Sequence, residues 1–206
     1  MSSIDREPVI RAAFDAGQMD TAARVALETY GDEIVSFLHA RLRSSSDAGE
    51  VFSMFAEDLW TGLASFEWRC SVRTWFYTLA RNAASRYAAS PHARAGRQLP
   101  LSESDSVSAV VARLRTATNV YQQTTVKDRF KLLREQLDPE DQTLLILRVD
   151  RGLSFRDLAI AMSGDVSLDA EARTKEAARL RKAFERVKLL LRDMAEREGL
   201  LSRHDD

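Results

Sequence analysis

Cysteine is almost missing from this sequence. Cys70 stands alone, so no internal disulfide can form and a cysteine-based metal site is excluded. The three histidines, His39, His92 and His204, lie far apart and form no ligand cluster, so neither a metal nor a cofactor is expected. A glycine-rich phosphate loop and a recognisable carboxylate pair are also lacking, which argues against an enzyme and leaves no catalytic residue to name. With only 4 prolines and 8 glycines, helices meet few breakers. Apolar runs never approach the roughly 18 residues that a membrane span needs, so no membrane insertion is expected. The segment Met1–Pro8 carries Asp5, Arg6 and Glu7 without an apolar core and does not resemble a signal peptide. These absences fit a reduced, cytoplasmic location.

What is present fits a folded chain. Hydrophobic residues make up 45% and charged residues 30% of the 206, enough for one ordinary domain or two small ones. The net charge of −1 conceals a strong division along the chain. Residues 1–66 hold 5 basic and 11 acidic side chains, whereas residues 67–97 hold 6 basic side chains against Glu67 alone. Residues 173–192 hold 8 basic against Glu176 and Glu185. Two basic segments in a near-neutral chain suggest two separate polyanion contacts, although solvated helix faces also carry such runs.

The periodicity is helical throughout, and no stretch alternates strictly enough to be a strand. Val25, Leu27, Ile34, Phe37, Leu38 and Leu42 predict a helix over Thr21–Arg43, interrupted at Gly31-Asp32. Ser44-Ser45-Ser46 breaks it, and Asp47 is the expected N-cap of a helix carrying Val51, Phe52, Phe55, Leu59 and Leu63. Phe66–Ser71 reads as a connection before a helix over Val72–Ala89. Pro91, Gly96, Pro100 and the serine-rich stretch after them mark a linker over 91–125, with a short helix around Val107–Leu114. Asp138-Pro139 opens a further helix that ends at Gly152. Ser154 to Asp157 repeats the capping logic, Asp157 reaching back to the Ser154 amide. A last helix is expected from about Leu168 to Arg197. The fold class is therefore all-α: two small helical domains, 1–90 and 126–200, joined by a linker and followed by a tail, 201–206.

Two constellations carry chemistry. On the last helix Leu180, Phe184, Val187, Leu191 and Met194 form one apolar stripe, while Lys175, Arg179, Lys182 and Arg186 advance along another face. Arg181, Lys188 and Arg192 widen that cationic face. Behind a short capped helix and a glycine-bearing turn, this is the arrangement of a helix-turn-helix, whose second helix lies in a DNA groove. The other constellation is aromatic: 9 of the 16 aromatic residues fall between Phe52 and Tyr87, overlapping Arg69, Arg73, Arg81 and Arg86. Rings interleaved with arginines make a stacking platform for unpaired bases beside a path for phosphates. Trp60 and Phe66 are assigned to the core. Trp68, in the polar connection, is the ring expected near a base.

These residues resemble the extracytoplasmic-function sigma factors of the sigma-70 family. Asp47–Phe66 followed by Ser71-Val72-Arg73-Thr74-Trp75-Phe76-Tyr77-Thr78-Leu79-Ala80-Arg81-Asn82 is similar to their region 2, and Leu137–Gln142, Gly152–Ala159 and Ala178–Ala183 are similar to region 4. The resemblance covers about residues 21–89 and 130–194. It implies a sigma factor that binds core RNA polymerase through its beta and beta-prime subunits, recognises −10 and −35 elements of promoter DNA and promotes melting. By position, Glu50, Glu57 and Asp58 would meet the polymerase clamp. Trp68, Arg69, Arg73, Arg81, Asn82 and Arg86 would meet −10 and melted DNA. Lys175, Arg179, Arg181, Lys182 and Arg186 would meet the −35 element, and Glu103 and Asp105 in the linker would mimic phosphates. An anti-sigma factor or other regulator is an expected partner. The sequence departs from the family at Ser53-Met54, where Gln-Glu is usual, and in the turn Ser163–Thr174, which is longer than the compact family version. Two rival readings predict different behaviour. A stand-alone helix-turn-helix regulator with an N-terminal helical sensor domain would bind duplex without polymerase. A polymerase-binding or sigma-sequestering adapter would be indifferent to loss of Arg179 and Lys182.

Overall fold

The computed structural model describes residues 6–42, 44–89, 105–117 and 132–200. Among the described residues the chain is all-helical, and no helix is long and apolar enough to cross a membrane. In chain order the helices are α1 (Glu7–Asp15), α2 (Met19–Arg41), α3 (Ser45–Leu63), α4 (Val72–Ala89), α5 (Asp105–Ala117), α6 (Pro139–Leu145), α7 (Phe155–Ser163) and α8 (Ala170–Arg197). A wider π-helical turn, Ile146–Asp150, continues α6. Two compact units result: Met1–Val120 with Ile160–Ser167, and Tyr121–Ala159 with Leu168–Asp206. Residues 91–104 and 118–125 of the expected linker, Glu103 within it, residues 126–131 and the tail 201–206 lie outside the described residues.

In the first unit α2, α3 and α4 share a core of rings. Tyr30, Phe37, Phe52, Phe55, Phe76 and Tyr77 are fully buried. Phe55 and Tyr30 meet Phe76 edge-on at 5.2 and 5.9 Å, and Phe37 meets Tyr77 at 5.5 Å. Each such pair adds about 0.5–1.5 kcal/mol beyond the area it buries. α2 runs unbroken through Gly31-Asp32, against the expected interruption, because Gly31 is a packing glycine: an added Cβ would lie 2.4 Å from Leu114 Cδ1 of α5. The N-cap of α3 is Ser44, whose Oγ accepts from the Asp47 amide, so the helix starts before the expected Asp47. Trp60, expected in the core, is only half-buried, because it stands about 100° around the helix from buried Leu59. α1 is an addition to the helices that periodicity predicts. Its buried Ile10 and Ala13 rest on α2.

In the second unit the capping logic holds in detail. Asp138 Oδ1 accepts from the Glu140 and Asp141 amides at 3.0 Å each, and Pro139 occupies the first turn. Gly152, at φ +68°, ends the following turn in the left-handed conformation, and the Leu153 amide reaches back to the Leu147 carbonyl. Ser154 caps α7 through its Oγ, which accepts from the Asp157 amide and donates to the Asp157 carboxylate. The expected contact to the Ser154 amide is thus replaced by one to its hydroxyl. Asp169 caps α8 at Ala172, placing the start of α8 slightly later than the expected Leu168. Leu137, Leu145 and Val187 form the core, with Phe184, Leu191 and Met194 packed against it, so the apolar stripe of α8 faces inward.

The amides hold the Asp138 carboxyl below the usual carboxylate range. Its cap is therefore complete above the unfolded pKa and is lost as pH falls through the lower folded value. Asp138→Ala should cost about 1 kcal/mol near neutral pH, and Asp138→Asn should lose the pH-dependent part of that stabilisation. Urea denaturation across pH should show the gap between wild type and Asp138→Ala closing in acid. A gap independent of pH would contradict the charged cap.

Candidate nucleic-acid interface

The expected site residues of the first unit fall into three environments. Ser71 starts α4 by accepting from the Thr74 amide at 3.0 Å, which leaves Phe66–Cys70 as a short open connection. Within it Trp68 adopts φ +57°, the left-handed region that side chains larger than glycine enter at a cost. Its ring packs between Phe66 at 5.0 Å and Phe14 at 5.5 Å, and the Arg11 guanidinium lies over it at 4.7 Å. The indole N–H is buried without a hydrogen-bond partner among the described residues. Trp68 thus sits against α1, which lies outside the helices expected from the periodicity read above.

The neighbouring pocket has a different lining. A cavity of about 290 Å³ opens between Gly62, Phe66, Glu67, Arg69, Trp75 and Leu79, closed on one side by Val166 and Ser167 of the same unit. Phe66 and Trp75 stack at 4.4 Å with their planes 12° apart. Arg69 pairs with Glu67 at 2.7 Å and donates to the Ser167 carbonyl at 3.3 Å. Flat rings, a cation and a carboxylate around a small cavity offer both a stacking surface and hydrogen bonds to a planar polar ligand. Phe66 and Trp75 are therefore the rings at this pocket. Gly62, where an added Cβ would lie 3.3 Å from Trp75, leaves room for that ring.

Along α4 the cationic side chains are unequally available. Arg73 is half-buried and donates to Glu33 Oε2 at 2.8 Å; the Tyr77 hydroxyl donates to the same oxygen at 3.0 Å, and the Arg73 amide donates to Glu7. Arg73 therefore clips α4 to α2 and α1. Asn82 Nδ2 donates to the Gly164 carbonyl at 3.1 Å, within the same unit. Arg81 is half-buried, while Arg86 is exposed and pairs with Asp58 of α3. That last pair joins a residue expected at the polymerase with one expected at DNA. Glu50 is exposed, and Glu57 is half-buried on the same helix.

In the second unit all five expected cations of α8, Lys175, Arg179, Arg181, Lys182 and Arg186, are exposed. Arg179 forms a two-pronged pair with Glu176 at 2.6 and 2.8 Å. Arg181 lies 5.2 Å above the Phe155 ring. Arg186 grips both oxygens of Asp141 at 2.7 and 2.8 Å. Burial raises the Asp141 carboxyl above its ordinary range while Arg186 pulls it down. Arg186 thus ties α8 to α6 from the edge of the cationic face.

Residues 26–94, about a third of the chain, match the family model for Sigma-70 region 2. The match spans most of α2 with all of α3 and α4, the helices that carry the ring core and the pocket. It supports a sigma-70 family member. No curated protein and no solved structure matches the chain.

The backbone at Trp68 provides a test that separates ring from strain. Trp68→Gly and Trp68→Ala both delete the indole, yet only glycine enters the left-handed region freely. Trp68→Gly should be more stable than Trp68→Ala by roughly 1 kcal/mol in chemical denaturation. Equal stabilities, or a more stable alanine variant, would contradict the conformation.

Proposed function

We propose that this protein is a sigma factor of the extracytoplasmic-function kind, which binds core RNA polymerase, recognises −10 and −35 elements and promotes promoter melting. The observation that carries the reading is the Sigma-70 region 2 match at residues 26–94, on helices whose connection holds a small ring-lined, charge-bearing pocket. On this reading residues 1–90 form the region 2 domain, 91–125 a linker and 126–200 a region 4 helix-turn-helix domain. The protein works in the cytoplasm without cofactor, metal or catalysis, and an anti-sigma factor or other regulator controls it.

The mechanism follows from charge and stacking. Polymerase presents the promoter to α4, where Arg69, Arg81, Asn82 and Arg86 neutralise phosphates of the separating strands, with Arg73 holding the helix in place. An extruded base enters the pocket beside Phe66 and Trp75, and Trp68 supports the wall. Stacking yields about 1–3 kcal/mol per base, comparable with the few kcal/mol that unpairing costs. Meanwhile Lys175, Arg179, Arg181 and Lys182 meet intact duplex at the −35 element, with Arg186 at the edge of that face. Glu50 and Glu57 face the clamp helices of the beta-prime subunit, and Asp58 orients Arg86.

In vitro transcription with core polymerase on genomic fragments tests the class. Start sites that appear only when the protein is added are expected; a transcript pattern identical with and without it would reject the reading. Removal of Arg179 and Lys182 together should weaken duplex binding and flatten its dependence on salt, by roughly one unit of slope for each phosphate left without a cation. An unchanged slope would count against that role. Trp68→Ala, by contrast, should impair open-complex formation more than closed-complex binding, and equal loss in both would reject its part in melting.

A further inference from the structure

The helix least accounted for by this reading is α5, which lies in the stretch expected to be a linker. Its apolar residues Val107, Val110, Val111 and Leu114 recur at helical spacing and are between 1% and 8% exposed, so the whole stripe is docked. α5 packs chiefly on α2 and also touches α3. The close approach at Gly31, where no side chain intervenes, seats Leu114 against the α2 backbone. Polar contacts fasten both ends. The Ser106 hydroxyl donates to Asp20 Oδ2 at 2.7 Å, and Arg115 lies 4.0 Å from Glu50. Ser53, one turn beyond Glu50 on the same face of α3, is buried.

Glu50 is one of the two residues, with Glu57, that the proposed function turns toward the polymerase clamp helices. α5 therefore occupies, within one chain, ground that a clamp helix would need. It does so with a narrow apolar stripe that ends in Arg115 opposite Glu50. We propose that α5 is a displaceable latch, which competes with the clamp helices of the beta-prime subunit for the outer face of α2 and α3 and lowers the affinity of the free protein for polymerase. The inference rests on the sigma-factor reading.

The attachment suits release. A helix of 13 residues is marginal in water by itself, and three valines with Ser106, Ser108 and Thr116 lower its intrinsic propensity further. α5 therefore depends on its docking contacts for its shape. Its two end contacts are exposed polar pairs of the kind that hold weakly and lose strength in salt. A closed latch lowers apparent affinity by the fraction of molecules that stand open.

The test uses the full chain with Cys70→Ser, Asp20→Cys and Ser106→Cys, which places two thiols where the side chains now meet. Binding to core RNA polymerase is measured in the oxidised and reduced states, alongside wild type and Leu114→Glu, which opposes docking. The oxidised form should bind roughly tenfold or more weakly than the reduced form, as expected when the open fraction is removed, and Leu114→Glu should bind more tightly than wild type. Equal binding by the oxidised and reduced forms, with wild type binding normally, overturns the latch alone. Leu114→Glu that binds no more tightly than wild type also overturns it, because that substitution opposes docking. Wild type that ignores core polymerase overturns the sigma-factor reading and the latch with it.

Discussion

The interlocking of rings at the joint of α2, α3 and α4 is the constraint on which the first unit depends. Phe76 meets Tyr30 on one side and Phe55 on the other, while Tyr77 meets Phe37 and gives its hydroxyl to Glu33. Because these rings fix the rotation of α4, they also fix which side chains line its outer edge and where the Phe66–Ser71 connection begins. Trp75 follows directly, held against Phe66 as one wall of the pocket. The same helix thus links packing to the proposed capture of an unpaired base. Loss of a central ring such as Phe76 would cost several kcal/mol and disturb every cation on α4.

Charge is used twice in both units. Several cations that composition assigns to nucleic acid also hold the fold: Arg73 with Glu33, Arg86 with Asp58, Arg186 with Asp141. Exposed pairs of this kind stabilise little, so freeing Arg86 from Asp58 costs little. At Arg186 the situation differs, because leaving the buried Asp141 unpaired is costly. Arg86 is therefore the more available cation of the two.

Much of the fold is legible in the chain because its signals are local. The Asp138-Pro139 start, the Ser154 cap, the apolar stripe of α8 and the span Val72–Ala89 follow from residues within one or two turns of each other. What escapes such reading depends on distant contacts. Gly31 looks like a break because its partner, Leu114, lies on another helix. Trp68 and Trp75 are equally aromatic in sequence, and only the unforeseen α1, with Arg11 and Phe14, decides which of them borders the pocket. Likewise the valines of α5 signal a helix but not the groove that receives it.

The central claim is that this chain makes core polymerase separate promoter strands. Permanganate reactivity of thymines on a promoter selected by its transcription start, measured with core polymerase, with the protein and with both, tests it most directly. Reactivity confined to the −10 region and present only when both are added is the predicted result. Thymines that stay unreactive in the complete mixture, while the protein alone binds the same duplex, would contradict the account.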